Sequence, residues 1–122
     1  MNEIDNNAKV ICNFLLNDLI ETSQIDNSIK FFRKDITTML IWLFIIDSHS
    51  NGKKINIEDI DRHISIATRV SKPSLRLILQ HAKEKGFIKF THNQKDHRSW
   101  IVEPEQVALN EFNVWIKKWS TI

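Results

Sequence analysis

The chain has no tyrosine, one cysteine, two glycines and two prolines among its 122 residues. Each shortage excludes something. With Cys12 as the single cysteine, an internal disulfide cannot form, and the composition fits a reducing cytoplasm. With glycine confined to Gly52 and Gly86, there is no glycine-rich loop to cradle a phosphate and no low-complexity linker. The longest uninterrupted apolar run, Met39 to Ile46, falls far short of the roughly 20 residues that cross a bilayer, so no membrane is expected as a partner. The opening MNEIDNNAKV carries acids and asparagines where a secretory signal carries a basic region and an apolar block, and export is not expected. The five histidines show no ligand spacing beside an acid on one helix. There is no nucleophile elbow and no evident carboxylate pair, so no metal, no cofactor and no enzymatic activity are expected.

What is present suits one globular domain. Hydrophobic residues make up 42% and charged residues 26%, ordinary proportions for a packed chain too short for two independent cores. A single domain is expected over 1–122, with an N-terminal helix and connection over 1–32, a central module over 33–103 and a C-terminal helix over 104–122. Helical spacing over residues 4–21 places Ile4, Ala8, Ile11, Leu15 and Leu19 on one broad apolar face. Gln24 to Lys30 is polar and broken, and is expected to be a connection. A second helix from Asp35 to about Ile46 is apolar nearly all round and is expected to lie at the centre of the fold. It ends at a turn-forming cluster from Ser48 to Gly52, after which Ile55 to Ile57 is expected as a short strand. A third helix is expected from Ile57 to Ala67, capped by Asn56, with Glu58 and Asp59 in its first turn. A fourth begins after Ser71, with Pro73 in the first turn, and stops at Gly86. Phe87 to His92 and Arg98 to Glu103 alternate as two strands of a hairpin with a polar tip. Pro104 is expected to open a final helix in which Ala108, Phe112, Trp115 and Trp119 recur.

Charge singles out the middle of this series. Between Arg62 and Arg98 stand nine lysines and arginines against Glu84 and Asp96, a sum of +7 in a chain whose total is +2. The remainder is therefore −5, and the positive charge falls on one module, as an electrostatic footprint for phosphate requires. Within that module Ser65, Arg69 and Leu75 occupy the small crossing position, the turn position and the apolar anchor of a helix-turn-helix. Ile64, Val70, Leu75 and Ile78 are the apolar residues expected to lock its two helices together. Arg69 stands where the turn commonly holds glycine for a positive φ, at some expected cost.

A helix-turn-helix followed by a basic-tipped hairpin is the order of parts of a winged helix. The segment SKPSLRLILQHAKEKGFI together with KDHRSWIVEP resembles the MarR family of winged-helix transcription regulators. The first is similar to that family's recognition helix and its Lys-x-Gly-aliphatic end. The second is similar to its Asp-x-Arg-Ser wing signature, and Asp35 to Pro104 can be laid on the family without large gaps. The glycine that usually follows the wing is missing here. The resemblance implies a mainly α fold with a small β-hairpin, binding double-stranded DNA as a transcription regulator, with repression expected.

Side-chain chemistry supports carrying the roles over. Ser71, Lys72, Pro73, Arg76, Leu77 and Gln80 are expected to face away from the buried stripe of the recognition helix. Arg76 can pair bidentately with guanine and Gln80 with adenine, while Ser71, Lys72 and Ser74 lie at the helix N-terminus, where phosphate is favoured. Arg69 adds charge at the turn. In the wing, Arg98 can reach a groove or a phosphate and Asp96 can orient it, with Lys95, His97 and His92 thickening the positive field.

Three further expectations concern the rest of the chain. Some MarR-type peroxide sensors carry a reactive cysteine in the first helix, but that chemistry uses tyrosines, which are lacking here; Cys12 is expected to be a buried structural thiol. Ile11, Leu15 and Leu19, with Phe112, Trp115 and Trp119, are expected to form a homodimer interface, because one terminal helix in so small a chain leaves those aromatics little to cover. The sequence identifies no small-molecule effector. Two rival functions share the module: a winged helix that binds another protein and not DNA, and a plasmid or phage replication or partition protein.

Overall fold

The structure, a computed structural model, describes residues 3–96 and 98–121. In chain order the elements are α1 (Asn6–Ser23), α2 (Ser28–Phe32), α3 (Ile36–Ser50), α4 (Ile57–Ile64), α5 (Lys72–Glu84), β1 (Ile88–His92), β2 (Trp100–Pro104) and α6 (Gln106–Trp119). Most helix starts are set by a polar side chain that accepts an otherwise orphaned N–H. Asp5 accepts from Ala8 N, Asp35 from Thr38 N and Ser71 from Ser74 N. Asn56 and Asp59 form a reciprocal capping box at α4. Pro73 adds a preset φ in the first turn of α5. The two glycines both terminate helices in the left-handed region, Gly52 at φ +69° after α3 and Gly86 at φ +80° after α5. At each, the following N–H returns to the helix, from Lys53 to the Ser48 carbonyl and from Phe87 to the Ala82 carbonyl, both at 2.9 Å.

α3 is the central element, as its all-round apolarity implied. Ile41, Trp42 and Ile45 are buried on it, and Trp42 stacks on Phe32 with ring centroids 4.0 Å apart. Around them one continuous core gathers Ile60 and Ile64 from α4, Leu75, Leu79 and Ala82 from α5, Ile88 and Val102 from the hairpin, and Ala108 from α6. The helix-turn-helix lock follows the expected residues: Ile64 and Leu75 are buried, and Val70 and Ile78 pack against them half-buried. β1 and β2 pair antiparallel with Phe90 opposite Val102 and His92 opposite Trp100.

Several expectations are corrected. The connection Gln24 to Lys30 contains the start of a helix, α2, capped by Asn27, whose side chain accepts from the Ile29 and Lys30 amides. It is only five residues long, too short to show helical periodicity. Ile55 to Ile57 is not a strand; Ile55 makes one bridge to Val102 and the chain then enters α4. α4 ends at Ile64, short of Ala67, because the Ala67 and Thr68 N–H groups both turn back to the Ile64 carbonyl. Pro104 closes β2 opposite Ile88, and α6 begins two residues later. Arg69 carries no strain, since among the described residues no non-glycine residue has a positive φ.

The terminal helices pack on one another. Asp18 on α1 is buried and its Oδ2 accepts the Trp115 indole N–H at 2.8 Å. Phe14 meets Trp119 edge-on at 5.0 Å, and Lys118 pairs with Glu21 at 3.2 Å. Arg33 ties α1 to the chain beyond it, donating to the Thr22 hydroxyl at 2.6 Å. Trp115 is therefore covered by its own chain at 8% exposure, and Phe112 and Trp119 are half-buried. The expectation that these aromatics are left in water by a single chain is corrected: α1 packs on Trp115 and Trp119, and Phe112 packs against Trp42 of the core. Cys12 is exposed, which corrects the buried thiol expected there.

Candidate nucleic-acid interface

Helix α5 and the hairpin enclose one groove. Its volume is about 530 Å³, and its lining includes Arg76 and Gln80 from α5, Asp96 and Arg98 from the wing tip, and Glu58 and Trp100 between them. Arg76 and Gln80 lie one helical turn apart on α5 and are both exposed, because the intervening stripe of Leu75, Leu79 and Ala82 is spent on the core. Gln80 donates to the Glu84 carboxylate at 3.2 Å, which presents its amide along the helix surface. Arg76 makes no ion pair among the described residues, so its guanidinium keeps all its donors for a partner.

The wing tip is shaped by short-range bonds. Asp96 Oδ1 accepts the Arg98 backbone N–H at 3.0 Å and stands 3.5 Å from Arg98 Nε. The side chain of Arg98 is 95% exposed, so the carboxylate fixes the turn more than it fixes the guanidinium. Asn93 Oδ1 accepts the Lys95 N–H at 3.0 Å. Lys95 lies in a separate hollow of about 660 Å³ with Lys54, Thr91, Asn93 and Glu103, so the structure does not bring it into the groove. His97, expected as part of the positive field, lies outside the described residues. His92 packs edge-on against Trp100 at 4.7 Å.

At the N-terminus of α5 the Ser71 hydroxyl caps the helix, accepting from Ser74 N at 3.2 Å and donating to Ser74 Oγ at 2.9 Å. Both serines are exposed, as is Arg69 on the preceding turn. Lys72 is paired with Glu58 of α4, so the charge expected to favour phosphate there already has a partner. The basic block also divides in space. Lys83 lies over the Phe90 ring and Lys85 lines a hollow with Phe31, Lys34 and His81, both toward the far end of the helix. Arg62 pairs with Asp59. The sum of +7 is thus a property of the module, and only part of it faces the groove.

Six groove residues, Asn56, Ile57, Glu58, Phe90, Ser99 and Trp100, were not singled out as site residues from the sequence. Glu58 was legible only as a first-turn acid, and Trp100 only as a strand residue. Asn56, legible as a helix cap, also donates from Nδ2 to the Ser99 hydroxyl at 3.1 Å and so joins α4 to the wing. Among the described residues no group of three histidine, cysteine or acidic side chains is placed to hold a metal ion.

A helix-turn-helix backed by an antiparallel hairpin over a shared core defines a winged-helix protein. The arrangement is that of the MarR-like winged helix, because the chain superposes over nearly its whole length on solved members of that group. A MarR-like transcriptional regulator from Thermotoga maritima matches with a TM-score of 0.57 at 10% identity, over 97% of this chain and 77% of that one. The heme sensor protein PefR from Streptococcus agalactiae, solved in complex with heme, matches with a TM-score of 0.56 at 14% identity, over 97% of this chain and 76% of that one. AbfR, solved in an overoxidized form bound to DNA, matches with a TM-score of 0.55 at 16% identity, over 95% and 72%. No family model matches the sequence, and no curated protein matches it.

Proposed function

We propose that the chain is a sequence-specific double-stranded-DNA-binding protein that regulates transcription, as a repressor, in the cytoplasm. The observation that carries this is the groove in which an unpaired Arg76, Gln80 and the exposed Arg98 converge from two elements. Arg76 and Gln80 bring the two side-chain types that read guanine and adenine edges bidentately, on the outward face of a capped helix that can enter a major groove. The exposed guanidinium of Arg98 suits phosphate or a minor groove beside it, which supports the same reading. AbfR, of the same fold, has been solved on DNA. No described helix is long and apolar enough to cross a membrane.

The protein acts as a homodimer through α1 and α6. Support comes from the apolar side chains these helices leave outside: Ile11, Leu16, Leu19 and Ile20 on α1, and Val107 and Val114 on α6. Leu15, half-buried, continues the same face inward. A two-fold partner that covers them would set two recognition helices about 34 Å apart, one turn of DNA. The reading is tested by binding the purified chain to duplexes enriched from a random pool and to random duplexes over a salt series. Affinity that falls steeply with salt on both, and is greater on the enriched duplex, is the expected result. Binding to neither, with the apolar helices engaging another protein, would favour the adaptor function.

A further inference from the structure

Residues 55–56 stitch the wing to the helix-turn-helix at two adjacent points. Val102 N–H donates to the Ile55 carbonyl at 2.8 Å, and Asn56 Nδ2 donates to Ser99 Oγ at 3.1 Å. Asn56 is otherwise fully committed to α4: its Oδ1 accepts the Asp59 N–H at 2.9 Å, and its own N–H donates to Asp59 Oδ2 at 3.0 Å. The side chain is thereby locked, and its amide N–H₂ points at one place on the wing. Ser99, half-buried, is also the residue that closes the tip. Its N–H donates to the Asp96 carbonyl at 3.0 Å and its carbonyl accepts from Asn93 N–H at 3.2 Å. Arg98, next to it, has an almost wholly exposed side chain whose ion pair among the described residues is with Asp96. The place of Arg98 relative to Arg76 across the groove therefore depends on its backbone, and that backbone is anchored at Ser99.

We propose that Ser99 is a positioning residue for DNA binding: its hydroxyl, held by Asn56, sets the distance of the wing from the recognition helix, so that Arg98 and Arg76 engage one duplex together. The proposal rests on the DNA-binding reading given above. Ser99→Ala removes the hydroxyl without touching the α4 cap. Asn56→Ser keeps a good cap but is too short to reach the wing. Ser99→Thr keeps the hydroxyl and is the rescue.

The test combines binding to enriched and random duplexes over a salt series with amide hydrogen exchange on the free proteins. Ser99→Ala and Asn56→Ser are expected to weaken binding to both duplexes by about three- to tenfold, the range a single net hydrogen bond supports. Exchange at the Asn93 and Ser99 amides is expected to quicken while the Leu75 and Leu79 amides keep their rates. Ser99→Thr should bind as the parent does, and Ser99→Ala combined with Arg98→Ala should bind no more weakly than Arg98→Ala alone. Parental affinity in Ser99→Ala, or a loss that adds in full to that of Arg98→Ala, overturns the proposal while leaving the DNA reading intact. A parent chain without salt-dependent affinity for any duplex overturns the DNA reading and the role of the wing with it, whereas the exchange rates report on the tether in either event.

Discussion

The winged-helix core and the terminal helices dispose of their apolar residues in opposite ways. On α3 the buried positions are mostly Ile41, Trp42 and Ile45, and the helix is enclosed by α4, the hairpin and α2. On α1 the two buried residues are Asp18 and Thr22, while Val10, Leu16 and Ile20 are each more than half exposed. A helix that buries its polar residues and shows its apolar ones is attached to its own chain by hydrogen bonds, here Asp18 to Trp115 and Thr22 to Arg33. Its hydrophobic surface is left for something else. The core thus holds most of the buried apolar side chains, whereas α1 leaves several of its own exposed.

That contrast can be broken most severely from inside. Trp42→Ala removes the ring stacked on Phe32 and leaves a large cavity at the centre of α3, and a loss of about 3 to 5 kcal/mol is expected from the denaturation midpoint. An unchanged midpoint would mean that α3 is not the centre of the fold. The termini should respond differently. Leu16→Glu with Val114→Glu alters only outward-facing positions, so the circular dichroism and thermal midpoint should stay near those of the parent while sedimentation shows a monomer. Each apolar side chain kept in water forgoes about 1.5 to 3 kcal/mol of burial, enough for two per protomer to dissolve a modest interface. Retention of the parent's oligomer would move the interface elsewhere. Trp115→Glu is a poorer probe, because it would break the Asp18 bond inside the chain.

The smallest effect belongs to the wing. Arg98→Ala should weaken binding to enriched and random duplexes alike and flatten the salt dependence by about one unit of slope, since an exposed guanidinium at a turn serves phosphate or groove shape. A substituted chain with the parent's affinity and salt slope would take the wing off the DNA.

Local signals were legible wherever one residue type does one job. Gly86, Ser71 with Pro73, and the alternation on both sides of the wing tip placed α5 and the hairpin within a residue or two. The helical spacing of α1 located the helix but misled about its faces, because periodicity cannot tell an apolar stripe packed inside the chain from one left outside. Aromatic recurrence on α6 was ambiguous for the same reason: whether Trp115 is covered depends on where α1 returns, a contact between residues 97 positions apart. The site divided along similar lines. Arg76, Gln80 and Arg98 follow from helix phase and a wing motif and do converge, whereas Lys85 and Lys95 share the basic block yet lie in other hollows, and Lys83 lies over the Phe90 ring. Asn56 and Glu58 could not be assigned to the site from sequence, since their second partners, Ser99 and Lys72, are set by tertiary packing.

The most direct test of the account is the ratio of affinities for the enriched and the random duplex, measured at one salt concentration for the parent and for Arg76→Ala. If the groove between recognition helix and wing reads base edges, the substitution lowers affinity for the enriched duplex by about 1 to 3 kcal/mol and leaves the random duplex nearly unchanged, so the ratio collapses. Equal losses on both duplexes would make Arg76 a phosphate contact and contradict the assignment of sequence reading to α5.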